Sequence, residues 1–376
     1  MKRVITFLLV SSVIISAFCV SVCAESVSVS AQAYILYCTN NEKIILSDNE
    51  DLPLPMASTT KLMTTVIALE REDVKTKKVK FTEEMIAEGS SMYLEVGECV
   101  TLYDLCIGMM MQSGNDAANA AAITIGGSIN GFADIMNEKA KEIGMKNTHF
   151  VTPSGLDDKD HYSSAYDMAL LMTYALKNNS FREITKSKSM KVDFIYPPDK
   201  SVTYQNHNKL LSMYDCCIGG KTGYTMTAGR CLVSACEKDN LTFVCVTLND
   251  HDDWDDQISL FDYGYENYTS LSVDIENLPS VPVFGGEKDS VIPKIDFENN
   301  IVLSKNDAVG IVKKVYIPSF LYAPINIGDE IGKIVFENNE NIIAEIPIIS
   351  SEEIKPLVKP KNIIDKIKEF LHWKEN

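Results

Sequence analysis

Apolar and polar residues recur with two different periods along this chain, and the changes of period mark its predicted elements. The short apolar runs 33–37 and 43–46 flank a polar turn at 39–41, which predicts a β-hairpin. A second hairpin is predicted at 229–236 and 241–248, where runs rich in Val, Cys, Leu and Phe surround another polar turn. Strands are therefore expected near both ends of the first 270 residues.

Helical spacing dominates between the hairpins. After Ser58 the apolar residues Leu62, Val66 and Leu69 lie one helical turn apart, and serine is favoured where a helix begins. The pattern from about 80 to 190 is mostly helical, and a further helix follows the second hairpin. Strands at both ends with helices between them predict an α+β domain. The predicted helices are 104–111, 117–125, 132–143, 165–176 with Ser164 as its cap, and 255–265.

Past about residue 272 the pattern changes to short β-like runs separated by turn clusters, which predicts a small all-β domain. After Pro356 and Pro360 an amphipathic helix is expected. Residues 361–376 carry four lysines against three acids, a net charge of +1, so binding to a membrane interface and docking on the protein's own surface both stay open. The apolar face of this tail consists of Ile363, Ile364, Ile367, Phe370 and Leu371.

The first residues resemble an export signal. Lys2 and Arg3 precede an apolar run at 4–22, and Val22-Cys23-Ala24 fits a small-x-small cleavage site. We expect the mature protein to work outside the cytoplasmic membrane; a single transmembrane anchor is the alternative, and a lipoprotein signal fits less well. The net charge of −17 becomes −19 when the leader's two bases are removed, and so acidic a surface repels nucleic acid.

Composition places the 376-residue chain among globular proteins large enough for two folded units, since 45% of it is hydrophobic and 23% charged. Ten cysteines less the two in the leader leave eight. We expect no disulfide framework, because Cys231, Cys236 and Cys245 lie in apolar strand-like runs where cysteine is usually a small buried hydrophobe. No C-x-x-C exists and the five histidines lack ligand spacing, so no metal and no cofactor are expected.

Three short motifs stand in a fixed order: Ser58-Thr59-Thr60-Lys61, Ser113-Gly114-Asn115 and Lys221-Thr222-Gly223. Each alone has an ordinary explanation as a helix cap, an inter-helix loop or a strand entry. The first and third nevertheless occur once each, and their coincidence in this order is improbable by chance. Three other Ser-x-Asn sequences precede Ser58, sit in a glycine cluster or follow Lys221, and their positions argue against a site role.

These residues suit nucleophilic catalysis. A serine hydroxyl needs a base within hydrogen-bond reach, and Lys61 lies one helical turn from Ser58. Lysine acts as a base only where burial or a nearby cation such as Lys221 lowers its pKa. Ser113 can pass a proton to a leaving amine and Asn115 can hold a substrate backbone group. Lys221 and Thr222 can bind a carboxylate, and Gly223 lets a substrate backbone approach closely.

The ordered motifs resemble those of the low-molecular-weight penicillin-binding proteins, the serine-type D-alanyl-D-alanine carboxypeptidases. The resemblance extends over about residues 30–268. It implies a penicillin-binding/β-lactamase-like transpeptidase fold, an antiparallel sheet flanked by helices, followed by a small all-β domain and a C-terminal amphipathic helix. The expected divisions are a signal peptide at 1–24, a catalytic domain at 25–272, a β-sandwich-like domain at 273–352 and a tail at 353–376. The segments that carry the resemblance are 55–64, 112–118, 152–158 and 220–225.

The resemblance also implies the reaction. Ser58 would attack the bond between the last two D-alanines of a peptidoglycan stem peptide and release D-alanine, and water would cleave the acyl-enzyme. Lys61 would be the general base, assisted by Ser113 and Asn115. Lys221 and Thr222 would hold the terminal carboxylate, and the N–H groups of Ser58 and Tyr224 would form an oxyanion hole. Penicillins would acylate the same serine, and the tail would tether the exported enzyme to the outer face of the membrane.

Other functions compatible with this fold are a β-lactamase, a transpeptidase and a non-catalytic penicillin-binding or wall-sensing protein. A β-lactamase is disfavoured because no Glu-x-x-x-Asn occurs between the second and third motifs. A sensor is disfavoured because every motif residue is present. A transpeptidase would use the same acylation residues, so the sequence does not separate it from a carboxypeptidase.

Overall fold

The computed structural model describes residues 27–271, 278–295, 301–338 and 341–357. The predicted signal peptide at 1–24 and the predicted amphipathic helix after Pro360 lie outside these residues. Within the described ranges, no helix has both the length and the apolar character that crossing a membrane requires.

Eighteen strands and nine α-helices are formed by the described residues. The strands are β1 Ala33–Cys38, β2 Lys43–Asp48, β3 Lys78–Lys80, β4 Cys99–Thr101, β5 Ser189–Asp193, β6 Ser201–Gln205, β7 Cys217–Thr225, β8 Gly229–Lys238, β9 Leu241–Leu248, β10 Tyr268–Leu271, β11 Val281–Phe284, β12 Ser290–Val291, β13 Pro293–Ile295, β14 Ile301–Ser304, β15 Val312–Tyr316, β16 Leu321–Tyr322, β17 Glu330–Asn338 and β18 Asn341–Ser350. The helices are α1 Lys61–Leu69, α2 Leu102–Gln112, α3 Asn115–Gly126, α4 Ile129–Ile143, α5 Ala165–Ala175, α6 Asn179–Lys186, α7 Leu210–Met213, α8 Asp253–Asn267 and α9 Lys305–Ala308.

A five-stranded antiparallel sheet in the order β2-β1-β9-β8-β7 is the centre of the first part of the chain. Both predicted hairpins are confirmed as β1–β2 and β8–β9. The strands β9 and β8 are buried along most of their length, because α5 packs against one face of the sheet and α8 against the other. The sheet therefore brings together chain segments that are about 200 residues apart.

The predicted helices are confirmed in type and position. Four extend by a few residues beyond their predicted ends, and α5 ends one residue earlier, at Ala175. Every residue of α1 is buried. The cap of α5 is also confirmed, since the Ser164 hydroxyl accepts a hydrogen bond from the backbone N–H of Asp167. Two small antiparallel two-stranded sheets, β3–β4 and β5–β6, were not predicted; β4 lies where the pattern indicated mostly helix.

The third motif lies inside a strand, which corrects the prediction that it only precedes one. Lys221, Thr222 and Gly223 are in the middle of β7, the edge strand of the sheet. Three glycines interrupt this strand, so its sequence shows no alternation of apolar and polar residues. At Gly220, with φ +156°, a Cβ atom would lie 2.2 Å from the Val233 carbonyl oxygen, so only glycine lets β7 approach β8 this closely.

Short strands dominate the chain after β10, as predicted, although one turn of helix, α9, interrupts them. The sheets here have the orders β13-β18-β17-β15 and β12-β11-β16, and β14 pairs with β10. Their apolar side chains form a hydrophobic cluster distinct from those around the five-stranded sheet. The eight described cysteines are free thiols, and Cys231, Cys236 and Cys245 are buried in strands as expected.

Candidate active site

Ser58 lies on a single 3₁₀ turn, Ala57–Thr60, that leads directly into α1. The residue before it, Ala57, has φ +47°, a left-handed conformation that costs a non-glycine residue of order 1 kcal/mol. Two glycines allow other segments to press against this turn. A Cβ atom on Gly155 would lie 1.9 Å from the Ala57 carbonyl oxygen, and one on Gly223 would lie 3.0 Å from the Ser58 nitrogen. The position of Ser58 is thus set by close backbone packing from two sides.

The Lys61 side chain is fully buried directly beneath Ser58. Its Nζ lies 2.9 Å from the Ser58 hydroxyl, 2.7 Å from the Asn115 Oδ1 and 2.7 Å from the Ser154 carbonyl oxygen. All three partners are uncharged. Burial, and then the charge of Lys221, lower the pKa of Lys61 well below 10.5, while Asp116 opposes the shift. A lysine in this position can exist as a neutral amine and accept the serine proton.

The second motif is the junction between α2 and α3. Ser113 ends α2 with φ +58°, and Asn115 begins α3. The Asn115 amide is held at both ends, because its Nδ2 donates to the Glu88 carbonyl oxygen at 2.6 Å while its Oδ1 accepts from Lys61. Beside it, the buried Asp116 carboxylate accepts the backbone N–H of Met92 at 2.8 Å. The segment around residues 88–92 is thereby fixed along one side of the site.

The third motif forms the opposite side. Lys221 is buried, and burial lowers its pKa to about 7. Its Nζ donates to the Thr222 carbonyl oxygen at 2.6 Å. Because β7 is an edge strand, alternate backbone groups of Thr222, Gly223 and Tyr224 point away from the sheet toward the turn that carries Ser58. The Tyr224 side chain is 66% exposed.

A cleft of about 530 Å³ opens between these sides and contains five predicted residues in its lining: Ser58, Ser113, Thr222, Gly223 and Tyr224. Lys61 and Asn115 lie beneath Ser58, and Lys221 is buried next to Thr222. The eight residues predicted from sequence thus meet in one place. The remaining wall was not predicted, and its residues are Ser90, His207, Lys209, Arg230, Asp253 and Trp254.

An ion pair dominates that unpredicted wall. The Arg230 Nε donates to the Asp253 Oδ1 at 3.0 Å, and the guanidinium lies over the Trp254 ring at 6.0 Å from its centre. These residues come from β8 and the start of α8, and no local sequence motif links them. The one sequence feature that could have indicated this wall is an arginine among the apolar residues of β8. Among the described residues, no cluster of three or more His, Cys, Asp or Glu side chains could hold a metal ion.

Comparisons with known proteins agree on one family. A family model described as D-alanyl-D-alanine carboxypeptidase matches residues 20–252, and a model for the C-terminal domain of penicillin-binding protein 5 matches residues 265–356. The carboxypeptidase DacF of Bacillus subtilis is 32% identical over 337 residues, 86% of each chain. The carboxypeptidase DacA of Escherichia coli is 30% identical, covering 92% of this chain and 89% of that one.

Solved structures give the same result. Penicillin-binding protein 5 of Haemophilus influenzae superposes with a TM-score of 0.73 at 27% identity, covering 87% of this chain and 98% of that one. A single-residue variant of the Streptomyces K15 DD-transpeptidase has a TM-score of 0.61 at 27% identity and covers 64% of this chain and 99% of that one. The likeness therefore includes both the sheet-and-helix part and, in the first case, most of the strands that follow.

The buried lysine pair predicts a pH dependence that a variant can shift. In Lys221→Gln the cation beside Lys61 is lost, so the pKa of Lys61 rises and the acid limb of Ser58 acylation moves to higher pH. The measurement is the rate constant for labelling by a fluorescent penicillin between pH 5 and 10. Lys209→Gln, at an exposed lysine of the same cleft, is the matched control and leaves the limb in place. An unmoved limb in Lys221→Gln would contradict the coupling of the two lysines.

Proposed function

The chain belongs to the D-alanyl-D-alanine carboxypeptidase family, and we propose from the geometry of its site which residues carry out the reaction. The protein is a serine-type carboxypeptidase that hydrolyses the terminal D-alanyl-D-alanine bond of peptidoglycan stem peptides and binds β-lactams. The observation that carries the residue assignment is the contact between the fully buried Lys61 amine and the Ser58 hydroxyl.

We propose that acylation begins with a proton transfer from Ser58 to neutral Lys61. The Ser58 oxygen attacks the carbonyl carbon of the penultimate D-alanine, and the oxygen of that carbonyl gains the negative charge. The N–H groups of Ser58 and Tyr224 would stabilise this oxyanion. Their proximity is supported by the close packing at Gly223, where an added Cβ atom would lie 3.0 Å from the Ser58 nitrogen. The C–N bond then breaks, and the proton reaches the leaving amine through Ser113, leaving Ser58 esterified.

Substrate would bind alongside the edge strand. An extended peptide can pair with the free backbone groups of β7, while Lys221 and Thr222 attract the terminal carboxylate of the substrate. The Asn115 amide, fixed by Lys61 and Glu88, would hold a backbone group of the stem peptide. Water completes the reaction when the same amine activates it against the ester, which releases the shortened peptide and regenerates Ser58.

Ser58→Ala tests the nucleophile. We expect release of D-alanine from a peptide ending in D-alanyl-D-alanine to fall about 10³-fold or more, and covalent labelling by a fluorescent penicillin to vanish. Ser90→Ala, an exposed serine of the same cleft, is the control and keeps both activities. Labelling of the wild type without release of D-alanine would favour a transpeptidase or a sensor, and undiminished labelling of Ser58→Ala would exclude Ser58 as the nucleophile.

We also propose that residues 25–272 and 273–352 are separate folding units. Their hydrophobic clusters share few contacts, with β10 pairing to β14 and Val302 packing on the first unit as the main links. A fragment ending at residue 272 should keep the penicillin acylation rate within about threefold of the full chain, because every proposed site residue precedes that position. Loss of a cooperative thermal transition in the fragment would contradict independent folding.

We also propose that the exported enzyme contacts the outer face of the cytoplasmic membrane through its C-terminal region. Three aromatic side chains support a contact surface there: Phe284, Phe320 and Tyr322 are 57%, 45% and 71% exposed and touch one another through their rings. The described chain ends next to them, since the Leu357 N–H donates to the Gly285 carbonyl oxygen at 2.8 Å. Aromatic residues favour the membrane interface.

Co-flotation with phospholipid vesicles tests this contact. The full mature chain should float with the vesicles, and a chain ending at residue 357 should bind at least about tenfold less, because the apolar face of the predicted tail is removed. The triple variant Phe284→Ser, Phe320→Ser, Tyr322→Ser should lower binding further in that shortened chain. Ile86→Ser is the control, because Ile86 is a similarly exposed apolar residue that lies between β3 and β4, far along the chain from the three aromatic residues. Unchanged flotation after the truncation would favour a tail docked on the protein.

A further inference from the structure

A buried histidine lies behind the nucleophile's turn and takes no part in the reaction described above. His161 is 3% exposed and belongs to the loop between α4 and α5. Its segment runs beside the chain that enters the turn, because Leu54 and Ser163 exchange both backbone hydrogen bonds, at 2.8 and 3.0 Å. The imidazole itself faces the 3₁₀ turn, and its Nε2 lies 2.8 Å from the Thr60 Oγ1.

The hydrogen bonds around this imidazole define its protonation. The backbone N–H groups of Val151 and Thr152 both point at Nδ1, at 3.0 and 3.3 Å, so Nδ1 must be an acceptor. A neutral imidazole whose Nδ1 accepts carries its only proton on Nε2. The ring therefore donates through Nε2 to the Thr60 hydroxyl oxygen. Protonating Nδ1 would turn it into a donor facing two other donors.

The chain of hydrogen bonds continues to the residue before the nucleophile. The Thr60 hydroxyl has one proton, and it donates that proton to the Ala57 carbonyl oxygen at 2.7 Å. Every hydrogen bond from Val151 to Ala57 thus donates in the same direction along the chain. Hydrogen bonds arranged in this way strengthen one another in a buried site. The carbonyl at the end belongs to the left-handed Ala57, against which Gly155 is packed.

We propose that His161 is a positioning residue for Ser58: as a neutral donor it orients the Thr60 hydroxyl, which holds the strained Ala57 carbonyl and so aims the Ser58 N–H and Oγ. This inference rests on the proposed role of Ser58 as nucleophile. His161 touches neither substrate nor the reacting atoms, so its effect is on the acylation step and not on the carboxylate site formed by Lys221 and Thr222.

The surroundings of the ring favour the neutral form. Burial lowers the pKa of His161 to about 4, with Asp158 and Asp157 opposing the shift and His149 and Lys61 adding to it. The ring edge also packs against Phe150, with the ring centres 5.8 Å apart. The bond from Nε2 to Thr60 is therefore expected to persist across the pH range in which a wall enzyme works.

Variants of the two links separate positioning from simple packing. His161→Leu and Thr60→Val each remove one link, and we expect the penicillin acylation rate constant to fall about tenfold to a hundredfold with KM for the peptide changed less than about threefold. His161→Gln keeps a donor and an acceptor and should restore most of the rate. The double variant should be no slower than the slower single one, because both break the same chain. His251→Gln, an exposed histidine outside this chain of hydrogen bonds, is the control.

Nitrogen NMR on the wild-type protein tests the proposal even if a variant does not fold. The expected signature is a His161 ring with a protonated Nε2 and an unprotonated Nδ1 from pH 8 down to pH 5. A proton on Nδ1, or titration near pH 6.5, would overturn the proposal, as would a folded His161→Leu that acylates at the wild-type rate or loses only substrate affinity. Failure of the wild type itself to be labelled would instead refute the proposed function.

Discussion

The burial of the Lys61 amine against the Ser58 hydroxyl is the interaction on which the rest of the site depends. An ammonium group taken out of water loses several kcal/mol of hydration unless charged partners replace it. Here the three hydrogen-bond partners of Nζ are a hydroxyl, an amide and a carbonyl oxygen, all uncharged. The protein thus offers this lysine a polar but uncharged cage, in which the neutral amine is favoured and can accept a proton from the Ser58 hydroxyl.

That cage requires several segments to converge at one point. The hydroxyl comes from the turn before α1, the amide from the start of α3, and the carbonyl from Ser154 in the loop after α4. The edge strand β7 adds a second buried lysine on the far side. Glycines permit the convergence where Gly155 meets Ala57 and Gly223 meets Ser58, because a Cβ atom at either position would push the segments apart. The geometry of the site and the packing of its backbone are therefore the same constraint.

Local features of the chain could be predicted from its sequence, whereas contacts that only the fold creates could not. Ser58 and Lys61 are one helical turn apart, so their contact follows from spacing alone, and the helices follow from apolar periodicity. The strand β7 was not predicted because Gly219, Gly220 and Gly223 leave it without apolar alternation. It pairs with β8 where glycine lets the two backbones approach closely. Arg230 and Asp253 meet only because β8 and α8 pack together. His161 carries no motif at all, since its role arises from hydrogen bonds to segments about ten and a hundred residues away.

The two buried lysines also make the stability of the fold depend on pH. The pKa of Lys221 is about 7 in the folded protein and near 10.5 when the chain unfolds, so between these values the unfolded state binds more protons. Stability therefore rises with pH through that window, and the lowered pKa of Lys61 acts in the same direction. At neutral pH the folded state binds fewer protons at these lysines than the unfolded state does, and this difference lowers the stability of the fold. The remaining core, with a fully buried α1 and the buried strands β8 and β9, has to offset this cost.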